Sequence, residues 1–390
     1  MVAARYEAAV NPPLLPGFAL RAHTHLLVVA GSRAFGVHHA DSDVDVKGVA
    51  IPPGEWFHGC LRHFEQATDG AAMAEFLADL EPAEREAVTR TKLEGTVFEI
   101  RKFLRLAAEA NPNILEVLYC RDDEVRIMTA IGQKLRSSRD IFLSARARHT
   151  FGGYATAQLK RIETHRRWLL DPPNQEPVRE AFGLPARTVI PADQLAAATA
   201  AIRTRVDDWD VDLSALAEPE RLDLAGRIAA MVADLQIHQD DRWRAGARAI
   251  GVDENFLLLL DRERRYKAAR TQWEMYHRWK ANRNVARAEG EARFGYDVKH
   301  GAHLYRLLKM CSEILLEGRV RVWRGGLDAD VIQDIRRGEW SYDRLVGWAK
   351  EADAELGAIC AARACVVPDT PDTAAVEALC VALVEEALRG

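Results

Sequence analysis

No stretch of this chain approaches the roughly 18 consecutive apolar residues that cross a bilayer, and the apolar cluster Phe256 to Leu260 is far too short. The first residues lack a basic region followed by an apolar stretch, so no secretory signal is expected. The six cysteines (Cys60, Cys120, Cys311, Cys360, Cys365, Cys380) are scattered without a Cys-x-x-Cys pair. Their spacing argues against structural zinc and suits a reducing compartment, so the expected location is cytoplasmic. Internal repeats and low-complexity tracts are also missing, which excludes solenoids and biased linkers.

What remains is a globular composition: 390 residues, 48% hydrophobic and 28% charged, enough for two or three domains with a real core. The net charge of −5 conceals a segregation. Residues 242–287 carry twelve Lys and Arg against five Asp and Glu, and residues 139–167 carry seven against two. From 338 to 390 the balance reverses, four against ten. Trp168 directly follows the 139–167 stretch, and the other basic stretch holds Trp243, Tyr266, Trp273, Tyr276 and Trp279. Interleaved cations and aromatics suit a nucleic-acid strand; amphipathic helices with solvated basic faces and aromatic cores would give the same pattern.

The most informative segment runs from residue 25 to residue 51. His25 to Ala30 is a short apolar, β-branched run ending in glycine, which predicts a buried strand stopping at a turn. Ser32 to Gly36 has room for about one helical turn, and the backbone N–H groups of Gly31, Ser32 and Arg33 would then be free to meet phosphate. Gly31 permits close backbone approach and Ser32 adds a hydroxyl. After a polar loop, Asp43 to Ile51 reads as a second strand. There Asp43 and Asp45 share one face, about 7 Å apart, and repel unless something positive lies between them. Mg²⁺, a hard cation that binds one or two carboxylates plus substrate phosphates, answers that repulsion, and Mn²⁺ is the substitute. Asp43 and Asp45 are therefore the candidate metal ligands.

Gly31-Ser32, ten intervening residues and Asp43-x-Asp45 resemble the signature of the DNA polymerase β-like nucleotidyltransferase superfamily, in a predicted branch linked in some genomes to RNA ligases. Three further blocks are similar to that branch: Asn111 to Glu116, Gly152 to Lys160, and Arg287 to Gly318. The resemblance implies an α+β fold, a small mixed β-sheet core with flanking helices followed by a mainly α-helical region. It also implies a third carboxylate on a later strand. Thr91 to Ile100 is the next strand candidate, ahead of a helix over about 98–110; Glu94 at its start is the expected third carboxylate and Glu99, on the opposite face, the alternative.

Beyond residue 125 the composition turns helical, with helices expected over Arg126–Phe142, Gly153–Leu170, Pro191–Asp207, Arg221–Ile250 and Phe256–Arg283. Asp171 to Pro191, with five prolines, reads as a loop or hinge. Asp297 is placed to cap a helix running to about Leu316 and closed by Gly318. On it Lys299, His303 and Arg306 fall at i, i+4 and i+7 and line one face suited to phosphate, whereas His300 falls on the apolar stripe. The expected division is a catalytic domain over 1–125, a helical nucleotide- and acceptor-binding domain over 126–335 and an acidic helical segment over 336–390.

The expected activity is Mg²⁺-dependent transfer of a nucleoside monophosphate from a nucleoside triphosphate to an acceptor hydroxyl. The catalytic residues would be Asp43, Asp45 and Glu94, and the nucleotide would be held by Gly31, Ser32, Arg33, Lys299, His303 and Arg306. RNA is the favoured acceptor; a protein or small-molecule acceptor, and a nucleotide sensor with a vestigial site, are the alternatives. No membrane partner is expected, and composition does not fix the oligomeric state.

Overall fold

The structure is a computed structural model that describes residues 17–40, 42–68, 70–187, 200, 254–283 and 285–389. Apart from residue 200, the helices expected over Pro191–Asp207 and Arg221–Ile250 lie outside the described residues, as does Trp243. The chain forms two compact units. One comprises the described residues of Met1–Leu169 and Val285–Gly390, the other those of Leu170–Asn284.

The first unit is built on a mixed five-stranded sheet: β1 (Thr24–Ala30), β2 (Val44–Ala50), β3 (Gln66–Ala67), β4 (Leu93–Glu99) and β5 (Val125–Met128), ordered β3-β4-β2-β1-β5. β1 is antiparallel to β2 and β5, β3 is antiparallel to β4, and β2 and β4 run parallel. Side chains alternate across the sheet. Leu27, Val44, Val46 and Val97 pack on one side with Phe64, Met73 and Phe76. Leu26, Val28 and Val49 pack on the other, with the helices. Besides short helices at Gly54–Phe57 and Gly70–Ala74 and a helix at Val285–Phe294, the helices in chain order are α1 (Gly31–Ala34), α2 (Pro82–Arg90), α3 (Ile100–Ala108), α4 (Pro112–Tyr119), α5 (Ala130–Ser137), α6 (Ala147–Leu170), α7 (Glu254–Ala281), α8 (Val298–Glu317), α9 (Ala329–Arg337), α10 (Tyr342–Ala361) and α11 (Thr373–Arg389); α7 belongs to the second unit. The small mixed sheet with flanking helices, followed by a helical region, is the fold class the sequence implied.

Local signals placed most of these elements. α8 starts where Asp297 accepts hydrogen bonds from the N–H groups of Lys299 and His300, and it ends at Gly318 with φ 63°, as a capping side chain and a left-handed glycine dictate. The continuous helix expected over Arg126–Phe142 is not formed. Residues 125–128 pair with β1 instead, Leu26 opposite Met128 and Leu27 opposite Ile127. Thr129 then caps α5 through its side chain, and a separate tight turn follows over Arg139–Phe142. A free sheet edge offers those four residues backbone partners, and pairing there outweighs helix propensity. The acidic end of the chain is ordered: α11 packs on α3 and α5, and Lys134 pairs with Glu386 at 2.5 Å.

α8 is the central helix of the C-terminal block, with Leu304, Leu307, Leu308, Cys311, Ile314 and Leu315 buried and α9 and α10 packed on it. The loop after α8 is fastened by Arg324. Its guanidinium, 1% exposed, pairs with Glu313 at 2.9 Å and Asp328 at 2.7 Å. In the second unit Arg179 pairs with Glu263, and Tyr266 and Tyr276 are buried in α7. Trp168, in α6, is buried too. Three of the aromatics in or beside the basic stretches are thus core residues and not exposed stacking platforms.

Replacing Arg324 by Met strands two carboxylates beside the core. Arg324→Met is expected to lower unfolding stability by about 3–5 kcal/mol, read from urea denaturation. A loss below about 1 kcal/mol would mean that water already solvates Glu313 and Asp328.

Candidate active site

At the end of β1 the chain turns sharply through Gly31, whose φ of 62° is the left-handed conformation that glycine adopts without cost. One helical turn follows, closed by Phe35 N–H to Gly31 O at 3.2 Å and Val37 N–H to Ser32 O at 3.0 Å. A Cβ on residue 31 would lie 2.1 Å from Oδ2 of Asp45. The Asp45 carboxylate therefore sits directly against the bare backbone of the turn, in space that any other residue at 31 would fill.

Asp45 is the second residue of β2, and Asp43 immediately precedes that strand. In the parallel ladder Asp45 lies beside Glu94, while Glu99 lies beside Ala50 at the other end. Side-by-side residues of a parallel pair project to the same face, so Glu94 shares the face of Asp45. Glu99 is buried and occupied, accepting from the Lys102 N–H as cap of α3 and pairing with Arg101. Burial raises the pKa of the Asp45 carboxyl; Lys299 and Lys47 oppose the rise, and Glu94 and Asp43 add to it. Five charged groups thus act on one another around Asp45.

Lys47, two residues along β2 on the same face as Asp45, is the member that sequence reasoning missed. Its ammonium contacts Oε1 of Glu116, Oδ1 of Asn113 at 3.2 Å and the Asn113 carbonyl at 3.4 Å. All three ammonium protons are engaged, so Lys47 ties β2 to α4. Asn113 and Glu116 lie in a block singled out above, but no local pattern links that block to Lys47.

From α8, Lys299 acts on Asp45, and His303 feels Lys47. The Arg306 guanidinium lies 3.4 Å from the centre of the Phe35 ring, beside the turn, with Nη2 3.5 Å from His303 Nδ1. Its Nε is buried without a protein hydrogen-bond partner, and burial lowers its pKa to about 10. The structure thus gathers Gly31, Ser32, Asp43, Asp45, Glu94, Lys299, His303 and Arg306 in one neighbourhood. Arg33 donates from Nη2 to the carbonyl of Ser42, the residue before Asp43, at 3.2 Å. The back of the turn is held by the loop after α8 and by α9. The Arg324 N–H donates to Phe35 O at 3.1 Å, the Trp323 ring packs on Gly36, and Arg336 donates to Val37 O.

Among the described residues no three His, Cys, Asp or Glu side chains converge closely enough to hold a metal by themselves. The chemistry of the donors nonetheless fits a hard divalent cation. Asp43, Asp45 and Glu94 offer only oxygens, and Mg²⁺ characteristically takes its remaining ligands from phosphates and water. No described helix is long and apolar enough to cross a membrane.

Gly31→Ala is expected to destabilise the chain by about 1–2 kcal/mol from the left-handed backbone alone, with further loss from displacing Asp45; thermal melting measures it. His303 supplies a pH prediction. Burial, then Arg306, His300 and Lys47, lowers its pKa from 6.5 to about 3. The unfolded chain takes up this proton near 6.5 while the folded chain refuses it until about 3, so stability is full above that window and falls as pH drops through it. Urea midpoints compared at about pH 7.5 and about pH 5 should fall less for His303→Gln than for the wild type; equal slopes would remove His303 as the source.

Residues 20–170 match the family model described as RNA repair pathway DNA polymerase beta family. Comparison with curated proteins and with solved structures gave no match.

Proposed function

From the match of residues 20–170 to the polymerase beta-like RNA repair family, we propose that the chain is a nucleotidyltransferase that transfers a nucleoside monophosphate from a nucleoside triphosphate to a hydroxyl of RNA, releasing pyrophosphate. The observation that carries the reading is the Asp45 carboxylate lying against the Gly31 backbone, with Glu94 beside it in the ladder. Enzymes of this class generally use divalent metals. Here Asp43, Asp45 and Glu94 would hold Mg²⁺ or Mn²⁺. A cation held there would supply positive charge to offset that developing on the α-phosphoryl group and the departing pyrophosphate.

The remaining work falls to the chain's own groups. Gly31 and Ser32 would seat phosphate oxygens through backbone N–H groups and the Ser32 hydroxyl. Lys299 and Arg306 would orient the triphosphate, Arg306 through the guanidinium N–H that has no protein partner. His303, neutral at pH 7 because of its burial, would act as a hydrogen-bonding group and not as a cation. Glu94, exposed at the strand start, would accept the proton of the acceptor hydroxyl at a carboxylate oxygen. The family description and the basic composition of residues 139–167 and 242–287 support RNA as acceptor.

The test offers α-phosphate-labelled nucleoside triphosphates and Mg²⁺ with total RNA, protein or neither. Label is expected in RNA, diminishing as salt rises, and Asp43→Asn or Asp45→Asn should reduce incorporation by about a thousandfold or more. Label confined to protein or small molecules would refute the RNA acceptor, and no label anywhere would refute the transfer.

A further inference from the structure

We propose that Cys360 and Cys365 form a reversible intramolecular disulfide, which makes the end of α10 a redox-modification site. The two sulfurs are 3.7 Å apart, a gap that side-chain rotation can close to a covalent bond. The local fold brings them together. Past α10 the chain reverses through Arg363, which holds a left-handed φ of 52°. The reversal is tied by Arg363 N–H to Cys360 O and Ala364 N–H to Ile359 O, each 3.0 Å. That pair of bonds is the helix-ending motif that usually employs glycine at the left-handed residue. It throws Cys365 back alongside Cys360, in the last turn of the helix.

Both cysteines are half-buried, and residues 361–364 between them are exposed, so a small oxidant can reach the pair. Cys120 and Cys311 are buried and Cys60 is exposed. The segment carrying Cys365 is anchored in place, with Val366 N–H donating to Leu315 O at 2.9 Å and Ala145 N–H to Pro368 O at 2.8 Å. The sulfurs therefore meet without rearrangement of the core.

The oxidant is a low-molecular-weight disulfide. A thiolate of the pair attacks one of its sulfurs, forming a mixed disulfide and releasing one small thiol. The second cysteine then attacks the protein-bound sulfur and releases the other thiol. Overall two protein thiols become one disulfide, and one small disulfide is reduced to two thiols. None of this depends on the transfer reaction, so the proposal stands or falls separately from it.

The folded full-length chain is incubated with oxidised glutathione, free thiols are alkylated, and tryptic peptides are analysed by mass. Cleavage after Arg363 places Cys360 in peptide 351–363 and Cys365 in peptide 364–389, which also holds Cys380. The expected product is these two peptides joined, two hydrogens lighter than their sum, free of glutathione and separated by dithiothreitol. The cross-link should persist in Cys380→Ser and vanish in Cys365→Ser, where Cys360 retains glutathione. Stable glutathione adducts on both cysteines of the wild type, unmodified thiols at both, or a cross-link that requires Cys380 would each overturn the proposal.

Discussion

The contact between the Asp45 carboxylate and the backbone of Gly31 is the constraint around which the N-terminal unit is arranged. It requires a residue with no side chain at 31, a left-handed turn at the end of β1, and β2 antiparallel to β1 so that Ala30 lies opposite Asp45. It also sets a half-buried carboxylate against two others of like sign. Such an arrangement opposes folding unless cations offset it, and Lys47 and Lys299 do so from two directions.

The supports are distributed over the chain in a way that explains why so much of it is needed. α4 holds Lys47 through Glu116 and Asn113. α8 brings Lys299, His303 and Arg306 to the face of the sheet where Asp45 projects, and the loop after α8 braces the turn through Trp323 and the Arg324 N–H. The segment from residue 285 onward therefore belongs to the same compact unit as the sheet, despite the long interval of sequence between them. Glu116 is the node: it neutralises Lys47 and also acts on Arg306, so one buried carboxylate relates β2 to α8.

Where the sequence could be read, the reading rested on local rules. The apolar run before Gly31, the alternation from Asp43, the strand ahead of α3 and the Asp297 and Gly318 limits of α8 are all written within a few residues of where they act. The edge strand β5 was not legible, because residues 125–128 carry helix-compatible composition and become a strand only beside β1. The Lys47 cluster was equally invisible, since its partners lie more than sixty residues away. Arg33, next to Gly31-Ser32, also donates to Ser42 O in the loop that leads to Asp43, a contact that no local pattern announces.

By itself the sequence determined the turn, the two aspartates, the helix caps and the periodicity of α8, because backbone conformation and side-chain periodicity depend on neighbouring residues. The tertiary structure alone decided which glutamate accompanies Asp45. Glu94 and Glu99 are equally acidic in sequence, and only the parallel register of β4 on β2 sets one beside Asp45 and the other beneath the start of a helix. It likewise decided that His303 is a neutral group and Lys47 an anchor, since burial and long-range pairing fix charge and no local pattern encodes them.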